Sequence, residues 1–329
     1  PWDDEKGANA GAAYLFAVNT PPTVVAANDP ITVDEADPAT NQGYFDDTDG
    51  DTVVVTASVG NIAQQSGYYG QWDWNHCESD GPSGSQTVTL VATDSLGAQG
   101  TTTFDLVVNN VAPAVSIDQI ADDAGQVLGV DVDVVLVGLM VYLEGSFTDP
   151  GAMDTHTAQV DWGDGSPVVN LGAVTGDLEA GHAYADEGSF TVVLSVKDND
   201  GGIGSAMAEI PVVDPADAAG DSIDDLEELL GDPNVNEDAA EAIQEAIEGL
   251  DGGDGGQAGN GVLDKLEAGD TGAALRKLQD ILEDLEEAED TGGLDLSAIK
   301  AQLALIAKAA AVNAIGQAEV AASSPGEFK

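Results

Sequence analysis

Residues 160–169 read VDWGDGSPVV and residues 182–202 read HAYADEGSFTVVLSVKDNDGG. Val160 to Trp162 alternates as a strand does. Gly163-Asp164-Gly165 then turns the chain sharply, since glycine accepts positive φ and Asp hydrogen-bonds its own turn. Val168-Val169 begins the return. Ser189 to Lys197 is a further strand rich in β-branched residues, closed by the turn Asp198-Asn199-Asp200-Gly201-Gly202. A Trp on an early strand and a Tyr ahead of a late one fill the core of a two-sheet sandwich.

The segments Trp162-Gly163-Asp164-Gly165, His182-Ala183-Tyr184 and Gly188-Ser189-Phe190 resemble the PKD domain, an immunoglobulin-like β-sandwich of extracellular proteins. The resemblance implies a spacer or interaction module rather than a catalyst. It also places His182 in a packing position at the core or its rim.

At 329 residues the chain has room for two to four domains. It carries 61 acidic residues against 8 basic ones, a formal charge of −53. Such a surface has nothing with which to replace the counterions of nucleic acid, and it is repelled by anionic membranes. Three readings of the acidity stand open: structural calcium between carboxylate-rich loops, a plain solubility surface, and adaptation to high salt. No apolar run reaches the roughly 20 residues of a membrane helix. The longest, Val127 to Leu143, is interrupted by Asp131 and Asp133. The chain starts at Pro1-Trp2 without an initiator Met or a signal peptide, so a processed product or a segment of something longer is expected. Cys77 is the only cysteine, which rules out an internal disulfide. Its thiol is expected to be half-buried and inert, with an intermolecular bridge or metal ligation beside His76 as the alternative.

Five segments follow along the chain. Residues 1–19 hold an acidic loop and one apolar strand, Ala12 to Val18. They resemble the end of an FG-GAP repeat, the blade unit of integrin-type β-propellers. A lone apolar strand satisfies neither its backbone nor its buried face, so Tyr14, Leu15, Phe16 and Val18 are expected to pair elsewhere. Residues 20–111 read as a first immunoglobulin-like sandwich, with strands at Thr23–Ala27, Ile31–Val33, Asp51–Val59, Tyr69–Trp74, Gln86–Thr93 and Thr101–Val108. Residues 112–214 form the PKD-like sandwich. The two look like an internal repeat of about 100 residues, Phe45-Asp46-Asp47 answering Phe147-Thr148-Asp149, and tandem sandwiches make rods. Residues 215–322 read as an antiparallel helical bundle. Apolar stripes run at Ile223–Leu230, Ile243–Leu250, Leu275–Leu285 and Ile299–Ala310, with Asp221-Ser222, Asn236 and Asp270-Thr271 as N-caps. The stretch 263–289 resembles the FIMAH domain, a helical module of secreted bacterial proteins. Residues 323–329 form a tail expected to be disordered. The fold class is therefore β plus α: an orphan strand, two tandem sandwiches and a bundle.

No nucleophilic elbow, phosphate loop or dinucleotide fingerprint is present, and the three histidines show no metalloprotease spacing. Catalysis is not expected. Calcium takes six to eight oxygens from carboxylates and carbonyls. The candidate ligands are Asp46, Asp47, Asp49 and Asp51 on one turn; Asp149 with Asp154 at the repeat-equivalent place; Asp198 and Asp200 at a hairpin end; and Asp3 and Asp4. The last two resemble the calcium loop of FG-GAP blades. Trp72 and Trp74 share a strand face, where core packing competes with a sugar-stacking role alongside Tyr69. The leading functional reading is a secreted structural protein. It assembles head to tail with itself through strand addition and calcium-supported contacts, giving a filament or surface layer. The alternative is an adhesive module of a larger surface protein or polysaccharide-degrading enzyme that grips extracellular polysaccharide.

Overall fold

A computed structural model describes residues 18–122, 125–128, 134–231, 235–252, 261–292 and 295–323. The strand expected at 12–18, apart from Val18, and the acids Asp3 and Asp4 lie outside the described residues. The chain divides into two compact units. The first comprises the chain up to Ala112 with the loops Asp149–Asp154 and Asn199–Gly202; the second comprises the remainder.

Eight strands build the first sandwich: β1 (Thr23–Ala26), β2 (Ile31–Asp34), β3 (Pro38–Asp46), β4 (Val54–Ala57), β5 (Asn61–Gln64), β6 (Tyr69–Cys77), β7 (Gln86–Thr93) and β8 (Gln99–Asn109). They form two four-stranded sheets, ordered β1-β3-β6-β5 and β2-β8-β7-β4. All the pairs are antiparallel except β2 with β8. Side chains alternate across each sheet, so Val88, Leu90 and Ala92 of β7 and Phe104, Leu106 and Val108 of β8 turn inward. They meet Phe45, Trp72 and Trp74 of the opposite sheet. Gly43 is needed for that contact. A Cβ there would come within 1.9 Å of the Val25 carbonyl and 2.5 Å of the Trp72 ring.

The second unit repeats the plan with β9 (Ala114–Asp122), β10 (Val135–Leu136), β11 (Met140–Thr148), β12 (His156–Asp161), β13 (Val169–Val174), β14 (Leu178–Ala183), β15 (Gly188–Lys197) and β16 (Ile203–Val213). The sheets are β14-β11-β9 and β10-β16-β15-β12-β13. Strand for strand this is the first sandwich with one change. The fifth strand of the repeat pairs with the sixth in β5 but with the fourth in β13, which turns four plus four into three plus five. The predicted correspondence of Phe45 with Phe147 holds in position, since each sits near the end of the third strand of its repeat.

Five helices follow: α1 (Pro215–Leu230), α2 (Glu237–Asp251), α3 (Val262–Glu267), α4 (Thr271–Gly292) and α5 (Ser297–Ser323). The four predicted apolar stripes supply their core, including Leu226, Ile243, Leu250, Leu278, Leu285 and Leu303. Leu136 of β10 and Leu139 belong to the same core. Asn236 and Asp270 cap α2 and α4 as predicted, accepting from the N–H of Ala239 at 2.8 Å and of Ala273 at 3.2 Å. The predicted cap at Asp221-Ser222 is corrected. The helix begins a turn and a half earlier at Pro215, whose missing N–H suits a first helical position, with Asp214 Oδ1 accepting from Ala216 N at 2.8 Å. Ser222 lies buried within α1 and donates to the Ala218 carbonyl. No helix among the described residues is long and apolar enough to cross a membrane.

Candidate functional site

The turn after β3 holds four of the predicted ligands, and each carboxylate goes its own way. Asp46, which ends β3, is exposed. Asp47 is buried, and its Oδ1 accepts from the N–H groups of Asp49 and Asp51, both at 3.0 Å. Its Oδ2 is shut off from solvent with no hydrogen-bond partner among the described residues. Asp49 accepts from the hydroxyl and the N–H of Thr20 at 2.7 and 2.6 Å, and these two bonds hold its carboxyl below the usual range. Asp51 accepts from Ser95 Oγ at 2.9 Å. Buried Asp94 shapes the next turn, accepting from Leu96 N, Ala98 N and Asn19 Nδ2, each at 2.9 Å. Burial works against its charge, but these donors outweigh it and keep the carboxyl low. Among the described residues the loop 46–51 does not converge as a metal cage, because successive side chains on a tight turn point apart.

Carboxylates do converge elsewhere in the first unit. Oxygens of Asp80, Asp154 and Asp200 all lie within 4.8 Å of one another, Asp80 and Asp154 half-buried and Asp200 exposed. Asp149 offers an oxygen at the same range from Asp154. The loops are knit beside this cluster by Ala152 N donating to the Ser79 carbonyl at 3.0 Å and Gly151 N to Asp149 Oδ1 at 2.8 Å. Below it Glu35 is buried, accepting from Gly81 N at 2.9 Å and Val111 N at 2.8 Å. Asp154 and Asp200 were among the predicted ligands. Asp80 was missed, because it sits in a turn of its own and meets the other two only in space. An all-oxygen donor set suits a hard cation such as calcium and not zinc. Asp198, the remaining predicted ligand, is buried at the end of β15.

The sugar-stacking role of Trp72 and Trp74 is corrected. Strand alternation points Tyr69, Gln71 and Asp73 outward and both tryptophans into the core, where they are 0% and 1% exposed. Trp74 Nε1 donates to the Val59 carbonyl at 2.7 Å, and its ring meets Phe104 edge-on at 5.0 Å. Tyr69 is 61% exposed, and on the same sheet face Tyr44 is 55% exposed. Register pairs Tyr44 with Gln71 and Gln42 with Asp73, and these four residues border a concavity of about 200 Å³ above Gly43. Cys77, expected half-buried, is exposed, and its Sγ donates to the Ala36 carbonyl at 3.2 Å. Val18 is exposed in irregular backbone.

In the second sandwich the motif residues form one packed group. Gly163 takes φ +78°, and a Cβ there would strike the Thr191 carbonyl at 2.4 Å. His182 stacks on Trp162 with ring centroids 5.1 Å apart, and its Nε2 lies 2.7 Å from Asp164 Oδ2. Tyr184 OH donates to the Trp162 carbonyl at 3.1 Å, and its ring stacks on Phe190. Burial penalises the Asp164 charge, yet hydrogen bonds from Ser166 and His182 outweigh it and lower the carboxyl to about 2. Burial, then the Asp164 charge, raises the Tyr184 phenol.

With this geometry in hand, residues 128–212 match the family model of the PKD domain. Solved structures of similar fold include titin domains Z1Z2 in complex with telethonin (16% identity, covering 60% of this chain and 99% of that one, TM-score 0.34). They also include the adhesin InvE of Yersinia pseudotuberculosis (16%, 57% and 58%, 0.27). A third is the PKD domain of an M14-like peptidase from a Thermoplasmatales archaeon (17%, 31% and 97%, 0.24). No curated protein sequence matches this chain.

Proposed function

We propose that this chain is an extracellular structural and adhesive module, with sandwiches that hold and present surfaces and a first unit braced by a divalent cation. The observation that carries the reading is the work given to its buried acids. Glu35, Asp47 and Asp94 all turn carboxylate oxygens onto backbone N–H groups and so fix loops. Groups engaged in this way are not available as acids or bases in a cleft. The cation would sit among Asp80, Asp154 and Asp200, where it would neutralise three carboxylates and tie three loops together.

In its finer form the proposal keeps the assembly reading: the apolar strand 12–18 would add to an exposed sheet edge of a second copy, through backbone hydrogen bonds along an edge strand. Negative-stain microscopy of the chain and of its 20–329 truncation in millimolar calcium tests it. Fibres that vanish on truncation support strand addition. Identical assembly by both, or isolated particles from both, refutes it.

A second reading, polysaccharide adhesion, rests on the face carrying Tyr44 and Tyr69. Tyrosine rings stack on sugar C–H faces, and the flanking Gln42, Gln71 and Asp73 reach hydroxyls. Tyr44→Ala with Tyr69→Ala should abolish retention in polysaccharide affinity gels without lowering Tm. Unchanged retention removes this face from consideration.

A further inference from the structure

The second unit holds a cavity of about 380 Å³ between β10, α1 and α5. Its volume falls at the lower end of the small-molecule range, roughly 300–1,000 Å³. Three kinds of group line it. Leu136, Ala218, Ala301 and Leu305 give an apolar wall. Asp221 and Asp225, one helical turn apart on α1 and both exposed, give two carboxylates on one side. Gln126 and Gln302 give side-chain amides. Gln302 has its Nε2 engaged by the Ala218 carbonyl at 3.2 Å. Gln126 Oε1 is shut off from solvent and has no hydrogen-bond partner among the described residues. No lysine or arginine lines the cavity, and Lys300 of α5 pairs with Glu289 instead.

The lining is therefore rich in acceptors, doubly negative and partly apolar. An anion would be repelled. A purely apolar guest would leave the Gln126 acceptor unmet, and a hydrated metal ion would make no use of the hydrocarbon wall. We propose that the cavity binds a linear aliphatic diamine. One ammonium lies against Asp221 and Asp225, the methylene chain covers Leu136, Ala301 and Leu305, and an N–H of the far end donates to Gln126 Oε1. This site is independent of the adhesive and cation-bracing readings, since it uses neither the sandwich face nor the acid cluster of the first unit.

A chain of this charge attracts any polycation, so the test must separate a cavity from an atmosphere. Isothermal titration of the full chain with 1,5-diaminopentane, in buffer of physiological ionic strength, should give saturable one-to-one binding. Asp221→Asn with Asp225→Asn should weaken it at least about tenfold. Ala301→Leu, which fills the cavity and alters no charge, should abolish it while the helical transition stays in place or rises. Pentylamine should bind more weakly than the diamine, because it leaves Gln126 unanswered. Equal affinity in the wild type and Ala301→Leu would place the amine in the diffuse charge cloud and overturn the proposal, as would the absence of saturation at millimolar diamine. Weakening by an acid pair elsewhere, Asp280→Asn with Asp284→Asn, equal to that at Asp221 and Asp225 would overturn it too.

Discussion

Trp72→Ala separates a core residue from a binding residue. Trp72 is 0% exposed, its ring lying under Gly43 and within the core shared by β6, β7 and β8. A buried aromatic covers about 150–250 Å², worth about 4–6 kcal/mol at roughly 25 cal/mol per Å². Truncations of this kind cost about 3–5 kcal/mol once relaxation is included. One term opposes the loss. Trp72 Nε1 is buried without a partner among the described residues, and removing an unsatisfied donor returns about 1–3 kcal/mol. The net expectation is about 2–4 kcal/mol, a large part of the roughly 5–15 kcal/mol that holds a domain. At about 4–8 °C per kcal/mol for a domain of this size, the first-sandwich transition should fall by roughly 10–30 °C. Calorimetry of the full chain reads this directly, because the other transitions serve as internal references. Trp72→Phe should cost within about 1 kcal/mol, since it keeps most of the area and deletes the orphan N–H. Trp74→Phe should cost more, about 1–2 kcal/mol, since it strands the Val59 carbonyl. Unmoved transitions in Trp72→Ala, together with lost polysaccharide binding, would refute the core assignment.

Two further perturbations act on single carboxylates. Glu35→Ala leaves the N–H groups of Gly81 and Val111 without their acceptor, at about 1–3 kcal/mol each. The urea midpoint of the first unit should fall by the equivalent of about 3–5 kcal/mol at unchanged slope, and Glu35→Gln by less than Glu35→Ala; an unmoved midpoint would show that water replaces the clamp. Asp164 titrates at about 2 in the folded protein against 3.8 as a free side chain. A lowered folded value contributes stability that is present above about pH 4 and lost as pH falls through 2. The shift corresponds to at most about 2 kcal/mol, reduced to roughly 1 by solvent at the rim of the sandwich. Asp164→Asn should remove this acid limb from the stability profile of the second unit, and a mutant profile parallel to wild type would show that the limb belongs to other groups.

The parts legible in the sequence were those where one physical signal dominates. The strand Gln86–Thr93 was read to the residue because alternating Val88, Leu90 and Ala92 leave no other face to bury. The helical stripes were legible for the same reason at a period of 3.6. β3 went unread because its stretch PATNQGYFD opens on Pro and carries a central Gly, with polar residues at nearly every position before Tyr44. It is a strand because its neighbours β1 and β6 make it one, and Gly43 is there to admit Trp72. β5 is four residues long, too short to show a period. The partner choice of the fifth strand, β6 in one repeat and β12 in the other, has no local signature at all.

Acidic chemistry was legible by composition but not by place. The run at 46–51 gathers four carboxylates in six residues, yet the turn that gathers them also aims them apart. The group that converges comes from three separate turns, at Asp80, Asp154 and Asp200. Three like charges this close repel by about 1–4 kcal/mol per pair, depending on the local dielectric. Without a cation the cluster is therefore a cost to the fold, and with one it is a gain by mass action, about 2.7 kcal/mol at a hundredfold excess over Kd. Asp80→Asn should then change sign with the buffer. In chelator it relieves repulsion and should raise the Tm of the first unit by a few degrees. In millimolar calcium it removes a ligand and should lower that Tm by a similar amount. Raising the salt concentration should mimic the mutation in chelator, by screening, and have little effect in calcium. If Asp80→Asn shifts Tm in the same direction in both buffers, the cluster holds no ion and the three acids are ordinary turn residues.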